Sequence, residues 1–236
     1  MATFGLIHGS WHGAWCWNAL VPELERLGHT PLTVDLPIDT DTGPGDWARV
    51  AAEAFAGDEP AIVVGHSMAG IVAPLVADLM PVRGLIYLSA LVRRPGRSCA
   101  DDRAEGLNID LNVRGFAADV VRDREGYTAY PSAEAAARDF YQDCEPDAVA
   151  WAFPRLRRQR GYWRDVSPQA ALPPVPAASI VCAADRAINP AWQRRVARDW
   201  LGITPIEFAS GHSPFLSRPR ALALLLDELA DSVFAG

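Results

Sequence analysis

An α/β protein, with a mostly parallel sheet, helices on both of its faces and an inserted, mainly helical lid, is the fold class this sequence predicts. Three observations carry it. Short, wholly apolar runs alternate with helical patterns through the first 92 residues, the rhythm of strands buried on both faces of a parallel sheet. That rhythm stops at about Arg93, where a stretch rich in charge and aromatics begins and shows no strand signal. It resumes near Ala178. The expected division is a core of residues 1–92 and 171–236 with a lid of residues 93–170.

Thr3–Ile7 reads as the first strand. Trp17, Leu20, Val21, Leu24 and Leu27 then recur at helical spacing, and Gly28 ends that helix. Pro22 sits near its start, where backbone amides have no intrahelical partner. Thr30–Val34 is the second strand, and a Gly/Pro-rich loop covers Asp39–Gly45. Trp47–Ala56 reads as a helix and Ala61–Val64 as a short strand. A helix then runs from Ser67 to Met80, with Pro74 expected to bend it. Gly84–Ser89 is the next strand, and within the lid Tyr141–Arg158 reads as helical.

The run Leu172-Pro173-Pro174-Val175-Pro176 is a stiff, extended connector back to the core. Ala178–Ala183 reads as a strand, Trp192–Leu201 as a helix and Ile206–Ala209 as a strand. Ser217 is the expected cap of the last helix, with Pro219 in its first turn and Leu222, Leu225, Leu226 and Leu229 on one face.

Bulk properties narrow the function. The chain has 236 residues, enough for one domain with an insertion. Its net charge of -7 argues against nucleic acid as a partner. All 22 basic residues are arginine, which reads as a coding bias. The cysteines Cys16, Cys99, Cys144 and Cys182 are scattered, so reduced thiols in a cytoplasmic protein are expected, with neither disulfides nor a metal centre. No basic run precedes the apolar opening, so no signal peptide is expected. No apolar run approaches the roughly 20 residues that cross a bilayer, so no membrane partner is expected.

The strongest local signal is Ile62-Val63-Val64-Gly65-His66-Ser67-Met68-Ala69-Gly70. An apolar strand runs into Gly-x-Ser-x-small-Gly, and a helix follows: the context of a nucleophile elbow, which leaves room only for small residues beside the serine. A serine that merely caps a helix after a buried strand has a similar look. A hydroxyl needs a base within hydrogen-bond reach. Of His8, His12, His29, His66 and His212, only His212 follows the last strand, where this architecture places its base. Asp185, in Cys182-Ala183-Ala184-Asp185-Arg186, follows the penultimate strand and is placed to orient that histidine. Ser67, Asp185 and His212 are the expected catalytic residues.

Acyl transfer develops an oxyanion that needs two fixed N–H donors. The amides of Met68, next to the nucleophile, and Ser10, after the first strand, are the expected pair. His8 and His12 are expected to be packed supports. Gly9, Trp11, His66, Trp151 and Ser213 are expected to contact the substrate, with Met68 and some of the lid aromatics walling an apolar pocket.

These motifs resemble the small-esterase branch of the α/β-hydrolase superfamily, which includes plant methylesterases, plant hydroxynitrile lyases and short bacterial carboxylesterases. The resemblance covers nearly the whole chain. It rests on His8-Gly9-Ser10-Trp11-His12-Gly13-Ala14-Trp15, on Gly65–Gly70 and on Gly211-His212-Ser213-Pro214-Phe215-Leu216-Ser217-Arg218-Pro219. Phe140-Tyr141-Gln142-Asp143-Cys144 and Ala150-Trp151-Ala152 are similar to bacterial members. The lyases carry threonine and lysine where this chain has Gly9 and Ser213, which argues against cyanohydrin cleavage. The esterases usually carry methionine at the second position, and Ser213 makes that wall more polar.

The resemblance implies an α/β-hydrolase fold and a serine hydrolase that cleaves a small-molecule carboxylic ester through an acyl-enzyme, without a cofactor. The methyl ester of an aromatic or polyketide-like acid is one expected substrate. An acyltransferase, a lactonase or a cyclase of natural-product biosynthesis would use the same site, and a non-catalytic small-ligand receptor is the alternative outside catalysis. Family members are often dimers, which leaves a homodimer open.

Overall fold

The computed structural model describes residues 1–235. The first half alternates β1 (Thr3–Ile7), α1 (Val21–Arg26), β2 (Thr30–Val34), α2 (Pro44–Phe55), β3 (Ala61–His66), α3 (Ala73–Leu79) and β4 (Val82–Leu88). An inserted stretch then carries α4 (Cys99–Ala104), β5 (Val121–Arg122), β6 (Thr128–Ala129), α5 (Ala133–Asp139) and α6 (Pro146–Ala152). The chain finishes with β7 (Ala177–Cys182), α7 (Pro190–Asp199), β8 (Ile206–Phe208), α8 (Pro214–Ser217) and α9 (Pro219–Ser232).

Six strands form one sheet in the order β2-β1-β3-β4-β7-β8, and every pairing in it is parallel. Such a sheet must be covered on both faces. Trp47, Ala51 and Phe55 of α2, Leu75 and Val76 of α3, and Trp192 and Val196 of α7 cover one face. Leu24 of α1 and Leu222, Leu226 and Leu229 of α9 cover the other. The strand order reverses between β1 and β3, which are paired with Leu6 opposite Val64 and Ile7 opposite Gly65. Loops leaving the carboxyl ends of two such strands diverge and open a crevice. The Gly9–His12 loop and Ser67 both sit there.

Several boundaries differ from the expectations for local reasons. The helix expected over Ser67–Met80 is a 3-10 turn, Ser67–Ile71, followed by α3. Pro74 bends nothing, because it lies in the first turn of α3, where its missing N–H costs no bond. The first helix is short, with a separate 3-10 turn at Ala14–Trp17 ahead of it. In the inserted stretch, the helix expected over Tyr141–Arg158 contracts to α6 and a 3-10 turn at Phe153–Arg155. Pro146 starts that helix and Pro154 ends it. The stretch also holds the small antiparallel β5–β6 pair, where no strand was expected. Ser217 does not cap α9: it ends α8, and Arg218 occupies the capping position without a side-chain bond. Among the described residues no helix is long and apolar enough to cross a membrane.

Candidate active site

Ser67 leaves β3 with φ +53°, in the left-handed region that costs a non-glycine residue roughly 1–2 kcal/mol. Its neighbours make that turn sterically feasible. A β-carbon on Gly65 would lie 2.7 Å from the Ala69 carbonyl oxygen, and one on Gly70 would lie 2.1 Å from that of Leu91. The Leu91 N–H donates to the Ser67 carbonyl over 2.8 Å and ties the elbow to the loop after β4.

His212 follows β8 and is buried. Its Nε2 lies 3.1 Å from the Ser67 Oγ, and its Nδ1 lies 2.9 Å from the Asp185 Oδ2. The structure thus brings together three residues spread over 145 positions of chain. Phe140 stacks on the His212 ring at 5.7 Å. Asp185 is itself buried. Its Oδ1 accepts the amides of Ala187 and Ile188 over 2.7 and 3.0 Å. Its Oδ2 also accepts the Ser89 hydroxyl at 2.5 Å and the Gln193 side-chain amide at 3.0 Å. A buried carboxylate needs such donors. With so many, its carboxylate is fixed in place with Oδ2 turned toward His212. Ser89 and Gln193 had no signal in the sequence, because neither belongs to a motif, although Ser89 directly follows β4, the sheet neighbour of β7.

The loop after β1 is held as firmly. His8 donates from Nδ1 to the Gly9 carbonyl over 2.8 Å, while its Nε2 accepts the Leu36 amide at 3.0 Å. His12 donates from Nδ1 to the Ser10 carbonyl over 2.8 Å, while its Nε2 accepts the Tyr141 hydroxyl at 2.8 Å. Burial pushes His8 down to about 4 and His12 down to about 3, so both rings are neutral near pH 7. The Ser10 amide donates to no protein group among the described residues. Met68 lies in the leading turn of its 3-10 helix, where amides lack an intrahelical acceptor.

A cavity of about 270 Å³ opens beside Ser67. Leu91, Leu111, Phe116 and Ile188 make it apolar, and Ser10, Asn112 and Tyr162 give it polar points. Of the five residues expected to contact substrate, only Trp11 lines it. The other four lie outside its lining. His66 is buried beneath the site and donates from Nε2 to the His212 carbonyl over 2.9 Å, so it supports the histidine loop. Trp151 packs edge-on against Trp15 at 5.5 Å, with Arg155 over its ring. Ser213 is buried with its hydroxyl unpartnered. Gly9 backs directly onto Ser67. The Met68 side chain is part of the core, not of the cavity wall. Leu91, Leu111, Asn112 and Ile188 line the cavity without having been singled out, since position in a loop carries no sequence mark of which way a side chain faces.

Residues 6–223 match the family model described as "Alpha/beta hydrolase family". The chain is 35% identical to the carbendazim hydrolyzing esterase of Nocardioides sp. (strain SG-4G) over 115 residues, which are 42% of this chain and 46% of that one. The match thus spans less than half of that relative's length. It is 25% identical to methylesterase 2 of Arabidopsis thaliana across 97% of this chain and 96% of that one. Among solved structures, a methylesterase protein from Arabidopsis superposes with a TM-score of 0.78 at 20% identity, covering 98% of this chain and 99% of that one. At that identity the likeness is one of fold.

Proposed function

The chain belongs to the alpha/beta hydrolase family, and from that premise we propose that it is a serine hydrolase of small carboxylic esters, with Ser67 as nucleophile, His212 as base and Asp185 as the orienting acid. One observation carries the reading. The Ser67 hydroxyl, the two ring nitrogens of His212 and the Asp185 carboxylate form one hydrogen-bonded line of 3.1 and 2.9 Å. That line has no packing purpose which an apolar trio would not serve better, since it buries polar groups that need partners.

In the proposed reaction the Ser67 Oγ attacks the ester carbonyl while His212 Nε2 takes its proton. Asp185 stabilises the imidazolium. The oxyanion lies against the amides of Ser10 and Met68. His212 returns the proton to the departing alcohol, and water then releases the acid by the same steps in reverse. Names of relatives support an ester as the substrate, since the chain is similar to an esterase and to a methylesterase. The cavity of about 270 Å³ lies near the small end of ligand pockets, roughly 300–1,000 Å³. It suits a branched or single-ring acyl group and is tight for a polycyclic one. We read residues 93–170 as the lid that roofs this cavity, because Phe116, Tyr162 and Trp163 of its wall come from there.

The test is turnover of p-nitrophenyl acetate and butyrate by the wild-type chain and by Ser67→Ala, with a fluorophosphonate probe located by mass spectrometry. The expected result is an adduct on Ser67 and loss of turnover in the variant. Full turnover by Ser67→Ala refutes the mechanism.

A further inference from the structure

Loops that leave different strands of a parallel sheet are not hydrogen-bonded to one another by the sheet itself. The Ala184 amide donates to the Ser210 carbonyl over 3.0 Å and ties the loop after β7 to the loop after β8, but the loop after β1 needs a further link to both. One four-residue turn of the inserted stretch touches all three. Phe140 stacks on the His212 ring. The Tyr141 hydroxyl donates to His12 Nε2 over 2.8 Å. The Gln142 side-chain amide donates to the Ala184 carbonyl, next to Asp185, over 2.8 Å. The Asp143 Oδ2 accepts the Gly211 amide, next to His212, over 2.7 Å.

The contact through Tyr141 has the greatest leverage. The loop it reaches is strained, with Trp11 at φ +61°, and strained backbone persists only where its surroundings over-determine it. Here the inserted stretch supplies those surroundings. The Trp11 carbonyl accepts the Arg157 amide over 2.7 Å, and the Trp11 indole donates to Thr128 over 3.1 Å. Ser10 Oγ donates to the Tyr162 hydroxyl over 3.1 Å. The hydroxyl of Tyr141 has a further effect. By occupying His12 Nε2 it keeps the ring's proton on Nδ1, which then holds the Ser10 carbonyl. The same residue's amide is the proposed oxyanion donor.

We propose that the turn Phe140–Asp143 positions the catalytic loops against one another, and that Tyr141, acting through His12, is the positioning residue that holds the Ser10 amide at the oxyanion. The proposal rests on the serine-hydrolase reading above. Oxyanion donors act only if fixed beforehand, so a loosened Ser10 loop slows the chemical step more than it weakens ground-state binding.

The experiment compares wild type, Tyr141→Phe, His12→Asn, His12→Gln and Ser67→Ala on p-nitrophenyl butyrate, well below each variant's melting temperature. An aryl boronic acid, which becomes tetrahedral on a serine, is measured as inhibitor. Tyr141→Phe is expected to lower kcat by about tenfold or more, with KM changed by less than about threefold, and to weaken the boronic acid in parallel with kcat/KM. His12→Asn places an amide nitrogen where Nδ1 was and keeps a donor for the Ser10 carbonyl. His12→Gln is closer to histidine in length but loses that donor. The asparagine variant is therefore expected to retain more activity than the glutamine variant, the reverse of what simple space-filling would give.

If Tyr141→Phe folds poorly, the order of the two His12 variants decides. Turnover lost in Ser67→Ala yet kept in Tyr141→Phe, with unchanged boronic acid affinity, overturns this proposal alone. Turnover kept in Ser67→Ala overturns the reading beneath it and this proposal with it.

Discussion

The Gly9 backbone packs against the side chains of Ser67 and His66: a β-carbon on Gly9 would lie 2.8 Å from the β-carbon of Ser67 and 2.9 Å from the His66 ring. Neither neighbour can yield cheaply, because Ser67 is pinned in its turn and His66 is buried. The position therefore gauges the gap between the Gly9–His12 loop and Ser67.

Gly9→Ala is expected to cost about 1–3 kcal/mol of stability, the usual range for overpacking. It is also expected to lower kcat by about tenfold or more, equivalent to some 1.4 kcal/mol of barrier, through displacement of the Ser67 hydroxyl. Thermal melts and steady-state kinetics read the two effects separately. Adding Ser67→Gly should restore much of the lost stability by removing the clashing carbon. A double variant no more stable than Gly9→Ala would show that the contact is not the cause.

Around Asp185, Ser89 and Gln193 make a second prediction. Gln193 donates to the Asp185 Oδ2 and to the Ile188 carbonyl over 3.0 and 2.9 Å. Leucine has nearly the same volume but no donor. Gln193→Leu leaves two buried acceptors short of a partner, an expected loss of about 1–3 kcal/mol in chemical denaturation. With Asp185 less firmly held, kcat/KM should fall by about tenfold while Ser67 still reacts with a fluorophosphonate. Unchanged kinetics and stability would mean that Ser89, His212 and the backbone amides hold the carboxylate without Gln193.

Acid stability follows from three buried rings. Burial pushes His8 to about 4, His12 to about 3 and His66 well below the usual histidine value. In the unfolded chain each titrates near 6.5. The unfolded state therefore takes up protons first as pH falls, which favours unfolding. Stability from this source is complete above about pH 6.5 and declines as pH falls below it, with all three rings adding to the slope. Urea midpoints from pH 7.5 to 4.5 should fall steeply. A flat profile would show that the rings are not held neutral.

The strands and the loops they end in were readable in the sequence because each is a local pattern: β1 and β2 have the boundaries the apolar runs predict. Ser67, Asp185 and His212 stand out for the same reason, each following a recognisable strand. Residues whose meaning depends on three-dimensional neighbours were not readable. His66 and Trp151 look like site residues by proximity or resemblance, yet one faces the core below the histidine loop and the other packs on Trp15. The inserted stretch was least legible. Its fold is set by side-chain contacts with the core, such as Tyr141 with His12, and its helices are short segments with no room for periodicity to accumulate.

Cavity size gives the last prediction. The space beside Ser67 is about 270 Å³ and Phe116 forms part of its wall. A butyryl group fits such a volume without displacing side chains, whereas a decanoyl chain must either push the wall or run out through the opening. Turnover of p-nitrophenyl butyrate should therefore exceed that of the decanoate by about tenfold or more in kcat/KM, a difference of some 1.4 kcal/mol. Phe116 touches Trp11 and Phe140 at its edges, with ring centroids 6.4 and 5.9 Å apart, so Phe116→Ala enlarges the cavity and reaches His212 only through Phe140. That variant should narrow the gap by raising decanoate turnover, not merely by lowering that of butyrate. Leu111→Trp, which adds bulk to another lining position of the same cavity, should widen it. If the acyl chain length changes nothing in any of the three proteins, the acyl group does not occupy this cavity, and the leaving alcohol must be the part of the ester it selects.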